Sequence, residues 1–310
     1  MRTYVMCVWI IGALLIGSTA DASGVLLDVQ GKVGVTLPGG GAAKAASGLD
    51  LPDGSVVALE QGAKASVLLE SGAVDQLAAG GRYTVGSKAA GSKRTDLGSG
   101  IAMAMRELSA SGEGPTVHGM VKEAAGPSRN LPDLAILGSG GFAARFPVGT
   151  TIRVDTTIVF RWSGQVAASV IVIDNAKQQH VAIKPLAVGK DEIALNTASL
   201  GIAKGQKYSW YLGENERRPL GKTARYAFDT LSAAEEASLK ADLAKVQKLD
   251  MGSDGKALLT AQLYYQRQMY DDMARTIEPL WQREQNAFAK KLLFTGYSRM
   301  GRAEEAKKYK

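Results

Sequence analysis

The residues of this chain with the readiest chemistry are few: two histidines, His118 and His180, and one cysteine, Cys7. A protein metal site gathers three or four Cys, His, Asp or Glu side chains at characteristic spacings. Neither histidine has such neighbours, so His118 reads as a surface or strand residue and His180 as a solvated residue of the polar turn Asn175–His180. A hydrolytic nucleophile needs a base beside it. The chain has no G-x-S-x-G elbow, no H-E-x-x-H helix and no phosphate-cradling G-x-x-x-x-G-K-[ST] loop. Its Asp and Glu residues are scattered rather than paired, and nothing points to a Ser/Lys or two-carboxylate enzyme. No catalytic, cofactor-binding or metal-ligating residue is assigned, no cofactor is implied, and partner-binding residues are unassigned. Trp162 and Trp210 are of the type that stacks on sugar rings. Because they alternate with polar residues along their strands, core packing is the favoured reading.

With no reactive constellation to position, the elements themselves carry the reading. Gly48–Val85 holds short apolar runs separated by Asp53-Gly54, Gly62, Ser71-Gly72 and Gly80-Gly81. Asp-Gly and Gly-Gly supply the positive φ that tight turns between strands require. The spacing predicts four strands in tandem, Val56–Leu59, Ala65–Leu69, Ala73–Leu77 and Arg82–Val85. Before them, Leu27, Val29, Val33 and Val35 mark a strand that turns near Gly31, and Pro38–Ser47 reads as a small, polar surface loop.

Gly31-Lys32-Val33, Gly48-Leu49-Asp50-Leu51 leading to Asp53-Gly54-Ser55-Val56, Gly62-Ala63-Lys64-Ala65 and Leu68-Leu69-Glu70-Ser71-Gly72 together resemble the FecR domain. That family's pattern is a Gly-containing strand, a G-x-x-L-x-x-G-D/S-x-V turn and an S-x-A-x-L-x-L-x-D-G strand-turn. Here Glu70-Ser71-Gly72 stands where Asp-Gly is usual and Ser55 where Asp is common. The resemblance covers roughly Val25–Val85. It implies a small β-rich extracytoplasmic domain that senses or binds. Its best-known members take a signal from an outer-membrane transporter and pass it across the inner membrane to a sigma factor. Those members carry a cytoplasmic helical region and a membrane helix before the domain. This chain has a signal-like segment there, which sets the signalling role apart.

Beyond it, Gly98–Leu108 reads as a short helix or an apolar patch, Thr116–Lys122 as a strand returning to the first domain, and Ala124–Leu131 as linker. Seven short strands are expected between 146 and 230: Thr151–Val154, Ile158–Trp162, Ala167–Asp174, Val181–Ile183, Glu192–Leu195, Tyr208–Leu212 and Ala224–Phe228. Seven such strands with turn signals between them is the signature of a sandwich. Phe160-Arg161-Trp162 early and Ile202, Gly205, Tyr208-Ser209-Trp210 late resemble an immunoglobulin-like or fibronectin type III domain.

From Leu231 the apolar period becomes helical. Ser232 with Glu235 forms a capping box for a helix to about Leu249, and Gly252-Ser253-Asp254-Gly255 breaks it. Lys256–Gln268, Tyr270–Gln285, Asn286–Met300 and Arg302–Lys310 read as further helices. Tyr265, Met269 and Ala274 recur as Tyr297, Gly301 and Ala306, a spacing within the range of helical-hairpin repeats. Tyr297–Ala306 resembles a tetratricopeptide motif, with Gly301 making the turn and Met269 in its place upstream. Two degenerate repeats rarely stand alone. The tail is expected to lean on the sandwich, on the helix 232–249, or on a partner chain.

Arg2, the apolar run Val5–Ile16 and the small residues Ser18-Thr19-Ala20-Asp21-Ala22 have the form of a secretory signal cleaved after Ala22. An uncleaved anchor is the alternative. Cys7 lies upstream of that cleavage, so the exported chain would rely on its cores and not on disulfides. The net charge of +7 reads as a solvated basic surface, or as attraction to anionic lipid, cell-wall polymer or acidic polysaccharide. With no basic run interleaved with aromatics, nucleic acid is not expected as a partner.

The expected organisation is multidomain, mainly β and then α. It comprises a signal peptide (1–22), a FecR-like β-rich domain (23–125), a linker (126–145), an immunoglobulin-like β-sandwich (146–230) and tetratricopeptide-like α-helical hairpins (231–310). The function expected is a non-catalytic binding or scaffold protein of the periplasm or cell envelope, with an envelope or membrane protein as partner. The alternative is a periplasmic sensory component of a transmembrane signalling system, docked on a receptor. An enzyme acting on the cell wall is the outsider.

Overall fold

Turn chemistry places the first strands almost where the sequence predicts them. The structure, a computed structural model, describes residues 24–78, 80–87, 92–98, 101, 103–105, 143–154, 157–163, 169–177, 179–185, 191–215, 218–219 and 226–310. The expectations for the signal segment with Cys7, for Thr116–Lys122 and for His118 lie outside the described residues. The described chain runs through β-sheets first and α-helices last. Among the described residues, no helix is long and apolar enough to cross a membrane.

Strands β1 (Gly24–Gln30), β2 (Val33–Thr36), β3 (Ala42–Lys44), β4 (Leu49–Leu51), β5 (Val56–Leu59), β6 (Lys64–Leu69), β7 (Ala73–Leu77), β8 (Arg82–Thr84) and β9 (Lys93–Asp96) form two antiparallel sheets. Their orders are β4-β1-β6-β7-β9 and β3-β2-β5-β8. Gly31 turns β1 away from β2 at φ 78°, which sends the two into different sheets. Pro38–Ser47 is not all loop: Ala42–Lys44 pairs with β2, because a short turn after Pro38 returns the chain alongside it. Between the sheets lies a core that includes Leu26, Val57, Val67 and Tyr83.

The five-stranded sheet is buried on its other face as well. Val25, Leu27, Leu68 and Val74 point away from the four-stranded sheet into a second core, together with Leu97, Ile101, Ala104 and Met105. Burial on both faces explains why β1 and β6 are continuous apolar runs and not alternating ones. Of the stretch Gly98–Leu108, Ile101 and residues 103–105 are helical, and Ile101, Ala104 and Met105 are buried in this core; 99, 100, 102 and 106–108 lie outside the described residues.

The second β unit contains β10 (Ala143–Phe146), β11 (Thr150–Ile152), β12 (Thr157–Ser163), β13 (Ser169–Asp174), β14 (Gln179–Pro185), β15 (Glu192–Asn196), β16 (Lys207–Asn215), β17 (Arg218–Pro219) and β18 (Tyr226–Thr230). A three-stranded sheet, β10-β12-β15, faces β11-β18-β16-β13-β14, with β17 paired to β16. Ala143–Phe146 pairs with β12, so the end of the expected linker belongs to this unit. The polar turn is also shorter than expected, because His180 already belongs to β14 and pairs with Ile173 of β13. The chain then crosses between sheets at Pro147–Gly149, and β11 runs parallel to β18. Phe160, Trp162, Tyr208, Trp210 and Phe228 fill the space between the sheets. Phe160 meets Trp210 edge-on at 5.2 Å, and Trp210 Nε1 donates to the carbonyl of Pro147 at 2.6 Å.

The tail comprises α1 (Ala233–Gln247), α2 (Ser253–Gln266), α3 (Tyr270–Glu284), α4 (Ala287–Arg299) and α5 (Ala303–Lys307). The capping box is formed: Glu235 N–H donates to Ser232 Oγ, and Ser232 N–H donates to Glu235 Oε2. The break after α1 ends at Gly252, and Ser253 through Gly255 already belong to α2. The two hairpin turns repeat at a spacing of 33 residues, since α2 and α4 begin their closing bonds at Tyr264 and Tyr297 (297 − 264 = 33). In each turn one N–H reaches back five residues and its neighbour three, closing the helix around a left-handed residue. That residue is Gly301 in the second turn and Gln268, not Met269, in the first.

The later helices share a core with the helix 232–249, one of the expected supports, and with the first β unit, a support outside those expected. The carboxylate of Asp28 in β1 stands beside Gly252, the N-cap of α2, where negative charge is favoured. A Cβ on Gly255 would stand 3.1 Å from the carbonyl of Leu27, so the helix approaches the sheet backbone as closely as glycine permits. Asn286 caps α4 through Ala289 N–H and donates its own Nδ2 to the carbonyl of Ser47 at 2.7 Å. Gly48 beside it has φ +79°, and a Cβ there would fall 2.0 Å from Asn286 Oδ1. The tail also touches the second unit. The Gln268 carbonyl accepts from Thr151 N–H at 2.9 Å and from Thr150 Oγ1 at 3.0 Å.

Two stability outcomes are expected in urea denaturation. Gly48→Ala combines an unfavourable left-handed conformation with a clash against Asn286, for a loss of about 2–4 kcal/mol. Trp162→Ala empties a central position of the second core and is expected to cost about 3–5 kcal/mol. A near-neutral Trp162 variant would mean that the ring is not core.

Candidate functional site

Where the end of β9 meets α1 and the end of α2, an open cleft of ≈ 410 Å³ lies between the first β unit and the tail. Asp96, Leu97 and Gly98 line its sheet side, Ser238, Asp242 and Lys245 its α1 side, and Gln266 and Arg267 its far end. The local sequence explains the placement. Asp96 accepts Gly98 N–H at 2.7 Å, which turns the chain after β9 and sends Leu97 into the shared core. Ser238, Asp242 and Lys245 recur at helical spacing and so share one face of α1.

Asp242 organises the helical wall. Its two oxygens accept from Arg267 Nη2 at 2.6 Å and from Lys245 Nζ at 3.0 Å. Arg267 also donates to Ser238 Oγ at 3.2 Å and to the Leu263 carbonyl at 3.3 Å, so the guanidinium is held as part of the wall. Gln266 differs: its Oε1 is buried and has no hydrogen-bond donor among the described residues. One turn earlier on the same side of α2, Gln262 is fully buried with neither amide atom partnered. Unmade bonds at a buried amide are destabilising, so this pair is an unusual feature in a helix whose other buried residues are mostly apolar.

Past the C-terminus of α1, the same seam carries a basic cluster. Lys64 Nζ pairs with Asp250 at 2.7 Å, and Gln76, opposite Lys93 in the β7–β9 ladder, donates to the Asp250 carbonyl at 3.1 Å. The Asp250 carboxyl is held below the ordinary carboxylate range, first by the hydrogen bond from Lys64 and then by its charge, with Lys256 and Lys93 adding to the effect. Because the folded value is depressed, any stabilisation from this pair is present at neutral pH and fades as pH falls through it. Both partners are well exposed, so the contribution is small.

A second polar cluster ties the first β unit together. Asp75 is buried and accepts from both arms of Arg94 at 2.6 Å and from the Tyr83 hydroxyl at 3.0 Å, tying the two sheets of the first unit together. Burial, then the Asp75 charge, pushes the Tyr83 hydroxyl far above the ordinary phenol range. Tyr297 is pushed up to about 12, first by burial and then by Glu278. Both phenols stay protonated at physiological pH and act as fixed donors, not as proton-transfer groups.

The residues weighed first from the sequence do not meet here. His180 is exposed at the start of β14. Trp162 and Trp210 are buried in the second core and present no stacking face. Among the described residues, no three His, Cys, Asp or Glu gather as metal ligands. Sequence reasoning gave the cleft residues no role, since their wall joins positions far apart in the chain. The readable signal was Gln262 and Gln266, two amides one turn apart on a helix that is otherwise apolar inward. No protein-family model matches the chain, and no curated protein matches it in sequence.

Gln262→Leu should raise stability by about 1–3 kcal/mol, because it removes an unpartnered amide at similar volume. Thermal and urea unfolding check this. A loss of stability would mean that the amide has a partner in the folded protein.

Proposed function

We propose that the chain is a non-catalytic binding or scaffold protein of the cell envelope, built from a FecR-like module, an immunoglobulin-like sandwich and a tetratricopeptide-like tail. The observation that carries the reading is the tail's attachment: it packs onto the first β unit through a shared core and touches the second through Gln268. A helical repeat fixed between two sandwiches holds their outer surfaces in one arrangement, which is what a scaffold needs. The tail's apolar face is turned inward, and among the described residues Met103 is the one large apolar side chain well exposed. The surfaces that the described residues offer are therefore mainly polar.

The immunoglobulin-like part of the reading is supported by strand order. The first strand divides between the two sheets, β11 runs parallel to the last strand, and the Tyr208 hydroxyl at the start of β16 accepts the N–H of Ala203, five residues upstream. A tyrosine bonding back to the corner that precedes its own strand is a recurring feature of such sandwiches. The FecR-like part is supported by the strands and turns found at the motif glycines Gly31, Gly54, Gly62 and Gly72, each at positive φ.

Crosslinking in the native envelope, followed by mass spectrometry, tests the proposal. The expected result is a reproducible set of envelope proteins crosslinked to the folded chain. Hydrolysis of cell-wall material by the purified chain, abolished by a single carboxylate substitution, would overturn it.

A further inference from the structure

The outward face of the four-stranded sheet holds a glycine that the fold does not require. Gly34 lies inside β2, a central strand paired in unbroken register with β3 on one side and β5 on the other. It is not at positive φ, and a Cβ added to it would have its nearest neighbours 4.0 Å away, on Ala58. A glycine in mid-strand weakens a sheet, and its usual reasons are a bulge, a tight bend or the close approach of another molecule. The regular ladder on both sides leaves the third. Register sets what surrounds it. Lys44, Gly34, Ala58 and Arg82 form one row across β3, β2, β5 and β8, on the side opposite the core residues Val35, Val57 and Tyr83. The row spans three strand spacings of about 4.8 Å, so the α-carbons of Lys44 and Arg82 stand roughly 14 Å apart. Two residues along the strands, it is bounded on one side by the ion pair of Lys32 with Glu60 and on the other by Thr36 and Val56. The result is a trough with a floor of Gly34 and Ala58 and a cation at each end. Lys44 and Arg82 are exposed, and among the described residues neither has an ion-pair partner.

We propose that this trough binds a linear acidic saccharide, with carboxylates at Lys44 and Arg82, the CH face of a ring on Gly34 and Ala58, and hydroxyls at Thr36 and Thr84. This rests on the envelope-binding reading and names the class of polymer it would meet. A single small anion reaches one cation and makes no use of the floor. An anionic bilayer is too flat to enter the trough, so a side chain at position 34 would not affect its binding. An extended peptide would leave its own amides unpaired, because β2 and β5 are hydrogen-bonded along both edges.

Titration calorimetry with the full chain tests the assignment. The probes are oligogalacturonate, a neutral malto-oligosaccharide of the same length, polyglutamate and phosphatidylglycerol vesicles. Oligogalacturonate should bind saturably at physiological salt, at least tenfold more tightly than the neutral sugar or polyglutamate, and remain uncleaved. Gly34→Val is the decisive variant. Valine suits a strand and has room there, so the melting temperature should hold or rise while saccharide affinity falls at least tenfold. A glycine kept for the fold alone would not separate the two. Replacing both Lys44→Ala and Arg82→Ala, at exposed positions, should weaken binding at least tenfold and flatten its salt dependence, with the circular dichroism spectrum unchanged. A lower melting temperature in Gly34→Val would make the glycine structural, and undiminished binding by that variant would mean that nothing approaches it; either overturns the assignment. So would equal binding of polyglutamate, or binding of the vesicles without the saccharide. If no saccharide binds and the crosslinked envelope proteins are still caught, only the trough assignment fails. Cleavage of the saccharide would instead overturn the non-catalytic reading on which it rests.

Discussion

The packing of α2 on the outer face of the five-stranded sheet is the constraint on which the rest of the molecule depends. That face presents Val25, Leu27, Leu68 and Val74, and a sheet with two apolar faces cannot stand in water with one uncovered. The helices have the matching deficit. Leu258, Leu259, Ala261 and Leu263 leave α2 buried on most sides, which two isolated hairpins could not achieve. Each unit supplies the surface the other lacks. The contact is close because Gly255 has no side chain to hold helix and strand apart, and it is registered by Asp28 at the helix N-terminus and by Asn286 at Ser47.

This arrangement changes what the helical repeat does. A repeat with a free apolar groove would be a docking surface for a partner helix. Here the groove is filled from within the chain, and the turn between α2 and α3 uses its Gln268 carbonyl to hold the start of the second sandwich. The tail therefore works as a brace between two β units that are separated in the chain by the stretch between β9 and β10. The brace also creates the seam. Without the tail, Asp96 and Gln266 would not line one cleft, and Lys64 would have no Asp250 to hold.

Local structure was largely legible in the sequence because its causes are local. Asp53-Gly54 and Ser71-Gly72 mark turns whose flanking strands, β5 and β7, begin and end where the spacing places them. Ser232 and Glu235 fix the start of α1 by a reciprocal pair of hydrogen bonds that involves no other part of the fold. The misplaced features depend on distant partners. Ala42–Lys44 is too short and too small to read as a strand until β2 is beside it, and Ala143–Phe146 reads as linker until β12 is. At the first helical turn, where glycine is absent, the repeat spacing points to Met269 as the turn residue. Gln268 takes the left-handed conformation since its carbonyl is held by Thr150 and Thr151. The cleft was illegible for the same reason: its two walls meet only after the tail folds back. The clue to that folding back lay in β1 and β6, whose unbroken apolar runs require a cover on both faces.

Native-state hydrogen exchange of the full chain tests the shared core most directly. The amides of β1 and β6 and those of α2 and α4 should exchange through one opening, with the same free energy and the same response to denaturant. An opening of α2 and α4 at lower free energy, with β1 and β6 still protected, would contradict the account.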